Sequence, residues 1–133
     1  MSDGNHEETT GANEWLKFAK RDLDAARSLF AGGDYAWMLV TCQQAVEKLL
    51  KGAIITRTQQ KPPRTHNLVQ LAKRTGLEFE EKQMELMREL GIAYIESRYP
   101  ATSAGEGDLT VEQAMSYLSA TREVCEWLLR RIR

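Results

Sequence analysis

From about Tyr35 to Arg57 the chain repeats apolar residues every three or four positions: Met38, Cys42, Ala45, Val46, Leu49 and Ala53. Only a helix of 3.6 residues per turn puts such a series on one side, and this is the longest and most apolar stretch of the chain. The same period runs on both sides of it. About Asn13 to Ala31 carries Trp15, Phe18, Ala19, Asp22, Leu23, Ala26, Leu29 and Phe30 on one face. Gly32-Gly33 stops that helix, and Asp34 is placed to cap the next. Pro62-Pro63 forms a stiff connector before a short helix, about His66 to Arg74, with Leu68, Leu71 and Ala72 inward and Gly76 at its end. A fourth helix, about Glu80 to Tyr99, has Met84, Met87, Gly91, Tyr94 and Ile95 as its inner face. It ends at Pro100, before a loop from Ala101 to Asp108. Thr110 and Gln113 then make a capping box for a last helix, about Val111 to Ile132, striped by Val111, Ala114, Met115, Leu118, Cys125, Leu129 and Ile132. No segment alternates with period two. The pattern predicts an all-α fold, an antiparallel up-and-down bundle of four long helices plus one short helix. Residues 1–12 read as a flexible polar tail and 13–133 as the bundle.

At 133 residues the chain suits one domain, large enough to bury a continuous core without disulfide or metal. A formal net charge of -1 supplies no basic field for general DNA binding. The apolar runs are too short and too broken by charge to span a bilayer. The opening MSDGNHEETTGAN has neither the basic start nor the apolar core of a signal peptide, which predicts a cytoplasmic protein. Cys42 and Cys125 then read as reduced thiols packed like small hydrophobes. His6 and His66 are the only histidines, and no Cys/His spacing suggests zinc, so neither metal nor cofactor is expected.

Charged residues inside apolar stripes are the informative anomalies, because a lone buried charge costs several kcal/mol and needs a partner, a ligand or a route to water. Asp22 lies between Trp15, Ala19, Ala26 and Phe30, and Arg98 continues the inner face of the fourth helix. Their opposite signs predict either a shared polar pocket or an ion pair that fixes helix register. Arg122 falls beside Leu118 and Leu129, and its long stem can carry its charge to water. The second helix bears a polar strip of Gln43, Gln44, Glu47, Lys48 and Lys51. This is either the solvated side of an amphipathic helix or a dimer seam or anion-binding surface. His66, just after Pro62, Pro63, Arg64 and Thr65, sits near a helix start. It is read as a capping or packing residue, or as part of an anion site served by free backbone N–H groups. Trp37 and Trp127 fall off the main stripes. They either cover a short segment of the chain or bury in a partner subunit, and a homodimer is expected.

Four motifs occur in order. They are WLKFAKRDLDAARSL at 15–29, whose Ala19 to Leu23 forms A-x-x-D-L; QQAVEKLLKGAI at 43–54; RTHNLVQL at 64–71; and RYP at 98–100. Together they resemble the HEPN family of helical domains over roughly residues 13–132. Many HEPN proteins are metal-independent ribonucleases with an arginine, four to six mostly polar residues, then a histidine, paired across a dimer. Here Arg98 is followed by YPATSAG, and Ser103, Ala104 and Gly105 stand where the histidine would fall. Nothing there titrates near neutrality in its place. The resemblance therefore implies a non-catalytic HEPN domain that binds a nucleotide or a partner protein. It also implies the accessory half of a toxin–antitoxin-like module with a minimal nucleotidyltransferase. Arg98, Lys48 and Lys51 would face phosphate and Tyr99 would offer a stacking ring. The alternative is a ribonuclease toxin with an atypical site, its acid/base role falling to His66 or another residue.

Overall fold

The computed structural model describes residues 11–97 and 109–132. It contains α1 (Ala12–Ala31), α2 (Tyr35–Thr58), α3 (Leu68–Thr75), α4 (Glu81–Glu96) and α5 (Val111–Ile132), with no strand among the described residues. The four long helices and one short one form the expected antiparallel bundle. The punctuation acts as its chemistry requires. Gly33, at φ 80°, turns the chain out of α1, and the Asp34 carboxylate accepts the Trp37 N–H at 3.4 Å to open α2. Gly76, at φ 77°, closes α3 in the left-handed conformation. Thr110 and Gln113 cap α5 reciprocally, at 2.9 and 3.0 Å.

α2 is the axis of the molecule and packs against each of the other four helices. Its Met38, Leu49, Leu50 and Ile54 are fully buried, and Leu68 and Leu71 of α3, Met87 and Leu90 of α4, and Leu128 of α5 close around them. Cys42 and Cys125 are both buried and free. Burial pushes the Cys42 thiol from an ordinary 9.0 up to about 11 and raises that of Cys125 as well.

Two faces are rotated from the expected ones. In α4 the buried row is Gln83, Leu86, Met87, Leu90 and Tyr94, whereas Ile95 is exposed. Both rows have helical spacing, and the bundle buries the one that carries two leucines. In α5, Thr121, Val124 and Leu128 turn inward, while Val111, Met115 and Leu129 face out. α3 starts at Leu68, with Asn67 as its cap, two residues later than the sequence suggests. Trp37 is 58% exposed. Trp127 covers the α3–α4 connector, its ring 5.0 Å from that of Phe79, and the Arg131 guanidinium lies over the indole at 4.0 Å. Arg122 is exposed, as its long stem allows.

Candidate functional site

The polar strip of α2 does not face water. Gln43, Glu47 and Lys51 follow one another at four-residue intervals and stack along one side of the helix. Gln43 and Lys51 are completely enclosed, Lys51 at 1% exposure, and Glu47 is nearly so. The centre of this strip is the Glu47 carboxylate. Its Oε2 lies 3.1 Å from Lys51 Nζ. Its Oε1 accepts from Gln43 Nε2 at 3.0 Å. His66 Nδ1 approaches both oxygens, at 3.0 and 3.1 Å. Because a carboxylate only accepts, this contact places the ring proton on Nδ1 and leaves Nε2 as the open nitrogen.

His66 comes from the connector that follows Pro62-Pro63, and two further contacts hold it. Gln43 Nε2 also donates to the His66 carbonyl at 3.0 Å. The Tyr94 ring of α4 lies 5.2 Å from the imidazole. The ring is therefore fixed on one edge while its side chain stays 57% exposed. At the inner end, Lys51 Nζ lies 5.1 Å from the centre of the Trp15 ring of α1, a cation–π contact in an enclosed setting. The site thus joins α1, α2, the connector and α4. Among the described residues, Gln43 Oε1 and Trp15 Nε1 are buried there without a hydrogen-bond partner.

The sequence-predicted residues distribute unevenly over this arrangement. Lys51 lies in the cluster, but its neighbour is Glu47 and its ammonium is sealed from solvent. Lys48 lies on the α1 side of α2, where its Nζ meets Asp22 Oδ2 at 2.5 Å with both side chains partly exposed. Asp22 therefore has its opposite charge in Lys48. Its suggested pairing with Arg98 lies outside the described residues, as do Arg98 and Tyr99 themselves. His66 is in the cluster, although the helix start beside it is already capped. The Asn67 side chain accepts the Gln70 N–H at 3.0 Å, and Thr65 Oγ1 accepts the Asn67 N–H at 3.1 Å. The anion that His66 meets is the chain's own Glu47. Gln43 and Glu47 entered the sequence reading only as members of the polar strip, and Tyr94 and Trp15 only as members of apolar faces. The four-residue spacing of Gln43, Glu47 and Lys51 was the available signal for three positions. Tyr94 and Trp15 carried none beyond their place on apolar faces.

A family model described as the HEPN domain matches residues 12–132. The chain belongs to the HEPN family. Two solved structures support the same fold for this HEPN domain. The crystal structure of TT1696 from Thermus thermophilus superposes with a TM-score of 0.76 at 27% identity, over 90% of this chain and 96% of that one. That of ST0689, an archaeal HEPN homologue, gives 0.73 at 26% identity, over 94% of this chain and 100% of that one. No curated protein matches the sequence. Among the described residues no helix of this HEPN domain is long and apolar enough to cross a membrane. Nor do three or more His, Cys, Asp or Glu side chains gather there in a group that could hold a metal ion.

Proposed function

We propose that this HEPN domain is a non-catalytic binding module that works in the cytoplasm as a homodimer. It would form the accessory half of a toxin–antitoxin-like pair with a minimal nucleotidyltransferase. The observation that carries the reading is the internal pairing of the polar cluster. Lys51 and His66 face Glu47, and Lys48 faces Asp22, so these charges of α2 find their partners within the chain. Large apolar side chains, meanwhile, stand open to solvent: Trp37, Ile92, Ile95, Val111 and Met115. Exposed apolar groups on a small bundle favour a protein partner. A nucleotide enters the proposal through the exposed edge of His66 and through Arg98 and Tyr99, whose sequence suits phosphate and base. The test is co-expression with a nucleotidyltransferase encoded beside it, followed by purification and calorimetric titration with nucleoside triphosphates. A stable complex is expected, with triphosphate binding to the domain or the complex. Failure of the two chains to associate would refute the partner half, and absence of heat with every triphosphate would refute the ligand half.

One observation favours a second reading, the ribonuclease. A buried carboxylate that accepts the Nδ1–H hydrogen bond of a half-exposed histidine is the arrangement that orients an imidazole for proton transfer at Nε2. RNA cleavage by purified protein that disappears in both Arg98→Ala and His66→Ala would establish that reading and displace the first. Intact RNA with the wild type would leave Glu47–His66 as a tether between α2 and the connector.

A further inference from the structure

α5 is apolar over a wider arc than the bundle covers, and its uncovered flank continues into a trough shared with α1. The trough has a volume of about 710 Å³ and lies between α1 and α5 over Leu49 of α2. Its apolar lining recurs at helical intervals: Leu16 and Leu23 on α1 are seven residues apart, and Cys125 and Leu129 on α5 are four apart. Along α1 it extends from Asn13 to Arg27, about 20 Å at 1.5 Å per residue. An open valley of that length between two helices is the shape into which a third helix packs, its seven-residue stripe meeting theirs.

The rims add a sign. Lys17, Lys20 and Arg122 project beside the apolar lining, opposed by Glu126, while the remaining pair, Arg27 and Asp24, face each other at 3.7 Å. The whole chain carries a net charge of -1, so this strip is cationic on a molecule that is otherwise slightly acidic. Two copies joined trough to trough about a two-fold axis would bring two strips of net positive charge together, which charge opposes.

We propose that the α1–α5 trough receives an amphipathic helix of a partner protein whose polar edges are acidic. This rests on the reading of the domain as a partner-binding module and names the surface and the chemistry of that contact. The homodimer proposed above then uses another face.

The test is a titration of the full chain, labelled at its Leu and Met methyl groups, with two synthetic helices of roughly 15 residues, enough to span the trough. Both carry leucine on one stripe; one has glutamate edges and its twin has lysine edges. The glutamate-edged helix is expected to bind and to shift the Leu16, Leu23 and Leu129 methyls, with the lysine-edged twin at least about tenfold weaker. The variant K20E/R122E, at two exposed positions and checked for fold by circular dichroism, is expected to invert that preference. Equal binding of the twins, shifts confined to another face, or no shift overturns the proposal. So does a dimer in sedimentation that shields the Leu129 methyl, which would seat a second copy. Binding that emerges only after removal of residues 1–10, with their Asp3, Glu7 and Glu8, would name the chain's own segment as occupant and also overturn it. Copurification separates the two levels. A nucleotidyltransferase held equally by wild type and K20E/R122E sinks the trough and keeps the binding module. A wild type that holds none sinks the module, and the peptide twins still judge the trough.

Discussion

Replacing Glu47 by glutamine changes one oxygen for an NH₂ and almost nothing in shape, so its effect isolates the charge. In the wild type the carboxylate receives Lys51 Nζ, Gln43 Nε2 and His66 Nδ1 within 3.1 Å, and it is 6% exposed. The variant leaves the Lys51 ammonium, at 1% exposure, without its carboxylate and turns an amide NH₂ toward at least one former donor. Removing one partner of a buried ion pair costs about 3–5 kcal/mol. The glutamine oxygen keeps one acceptor, and the His66 side is open to water, so about 2–4 kcal/mol is expected here. At this chain length that lowers the melting temperature by roughly 6–15 °C. Urea unfolding at neutral pH, followed by circular dichroism, gives the number directly. The decisive comparison adds Lys51→Met, which removes the second charge. E47Q/K51M should cost less than the sum of the two single changes by about 1–3 kcal/mol. A Glu47→Gln variant within about 0.5 kcal/mol of wild type, or strict additivity in the cycle, would show that the cluster is effectively solvated. The account of α2 as a helix with internal charges would then be wrong.

Further outcomes test other parts of the fold. A Cβ added at Gly52 would meet Ala12 O, the Leu16 side chain and the Trp15 side chain at 3.5 Å, an ordinary contact distance, and one at Gly91 would meet nothing within 4 Å. Both Gly52→Ala and Gly91→Ala should therefore stabilise by about 0.5–1 kcal/mol through helix propensity, measured by thermal unfolding. Leu50→Ala, at a fully buried position of the central helix, should cost about 2–5 kcal/mol in urea unfolding, whereas Trp37→Ala should change stability by no more than about 0.5 kcal/mol. Alkaline pH should destabilise the fold. Burial raises the Cys42 thiol from 9.0 to about 11, and the bond from Tyr117 to Glu89 raises that phenol from 10.0 to about 12. Because the unfolded chain gives up these protons first, the stability they confer is complete below about pH 9 and is lost as pH rises through 11 and 12. Cys42→Ala should flatten the lower part of that decline, read as unfolding free energy against pH.

Most of the architecture was legible because each helix announced its own ends. Gly33 and Gly76 adopt the left-handed turns that glycine favours, Asp34 and the Thr110–Gln113 pair cap the helices they precede, and the five segments lie within a few residues of their expected spans. Facing was less legible. Ile95 and Leu86 both belong to helically spaced apolar rows of α4, and only the neighbours decide which row is buried. The same holds for Leu129 against Leu128 on α5. Local periodicity says that a helix has an apolar side, but α4 and α5 have more apolar surface than a single side, and the surplus is what the bundle leaves uncovered.

The burial of the polar strip was hidden for a different reason, and α2 shows why. An amphipathic helix at the edge of a bundle turns its polar strip to water, and on that premise Gln43, Glu47 and Lys51 face solvent and Lys51 is available to meet phosphate. α2 is not at the edge. It touches α1, α3, α4 and α5, so only limited arcs remain for water, and a strip that runs beneath the connector and α1 must lie inside. A charge inside must have a counter-charge, which makes the spacing of Glu47 and Lys51 a requirement of the central position. The same requirement reaches His66: with Glu47 fixed by Gln43 and Lys51, the imidazole that meets it is held in one orientation, and the connector is held with it. A ligand at this face would therefore meet the Nε2 edge of His66, with Lys51 acting only through Glu47. The prediction is directional: Lys51→Met should lower stability far more than it lowers affinity for any phosphate-bearing ligand, and His66→Ala should do the reverse. Parallel unfolding and calorimetric titration would measure both. A Lys51→Met variant as stable as wild type but unable to bind would restore the lysine as a direct phosphate contact and refute the central-helix argument.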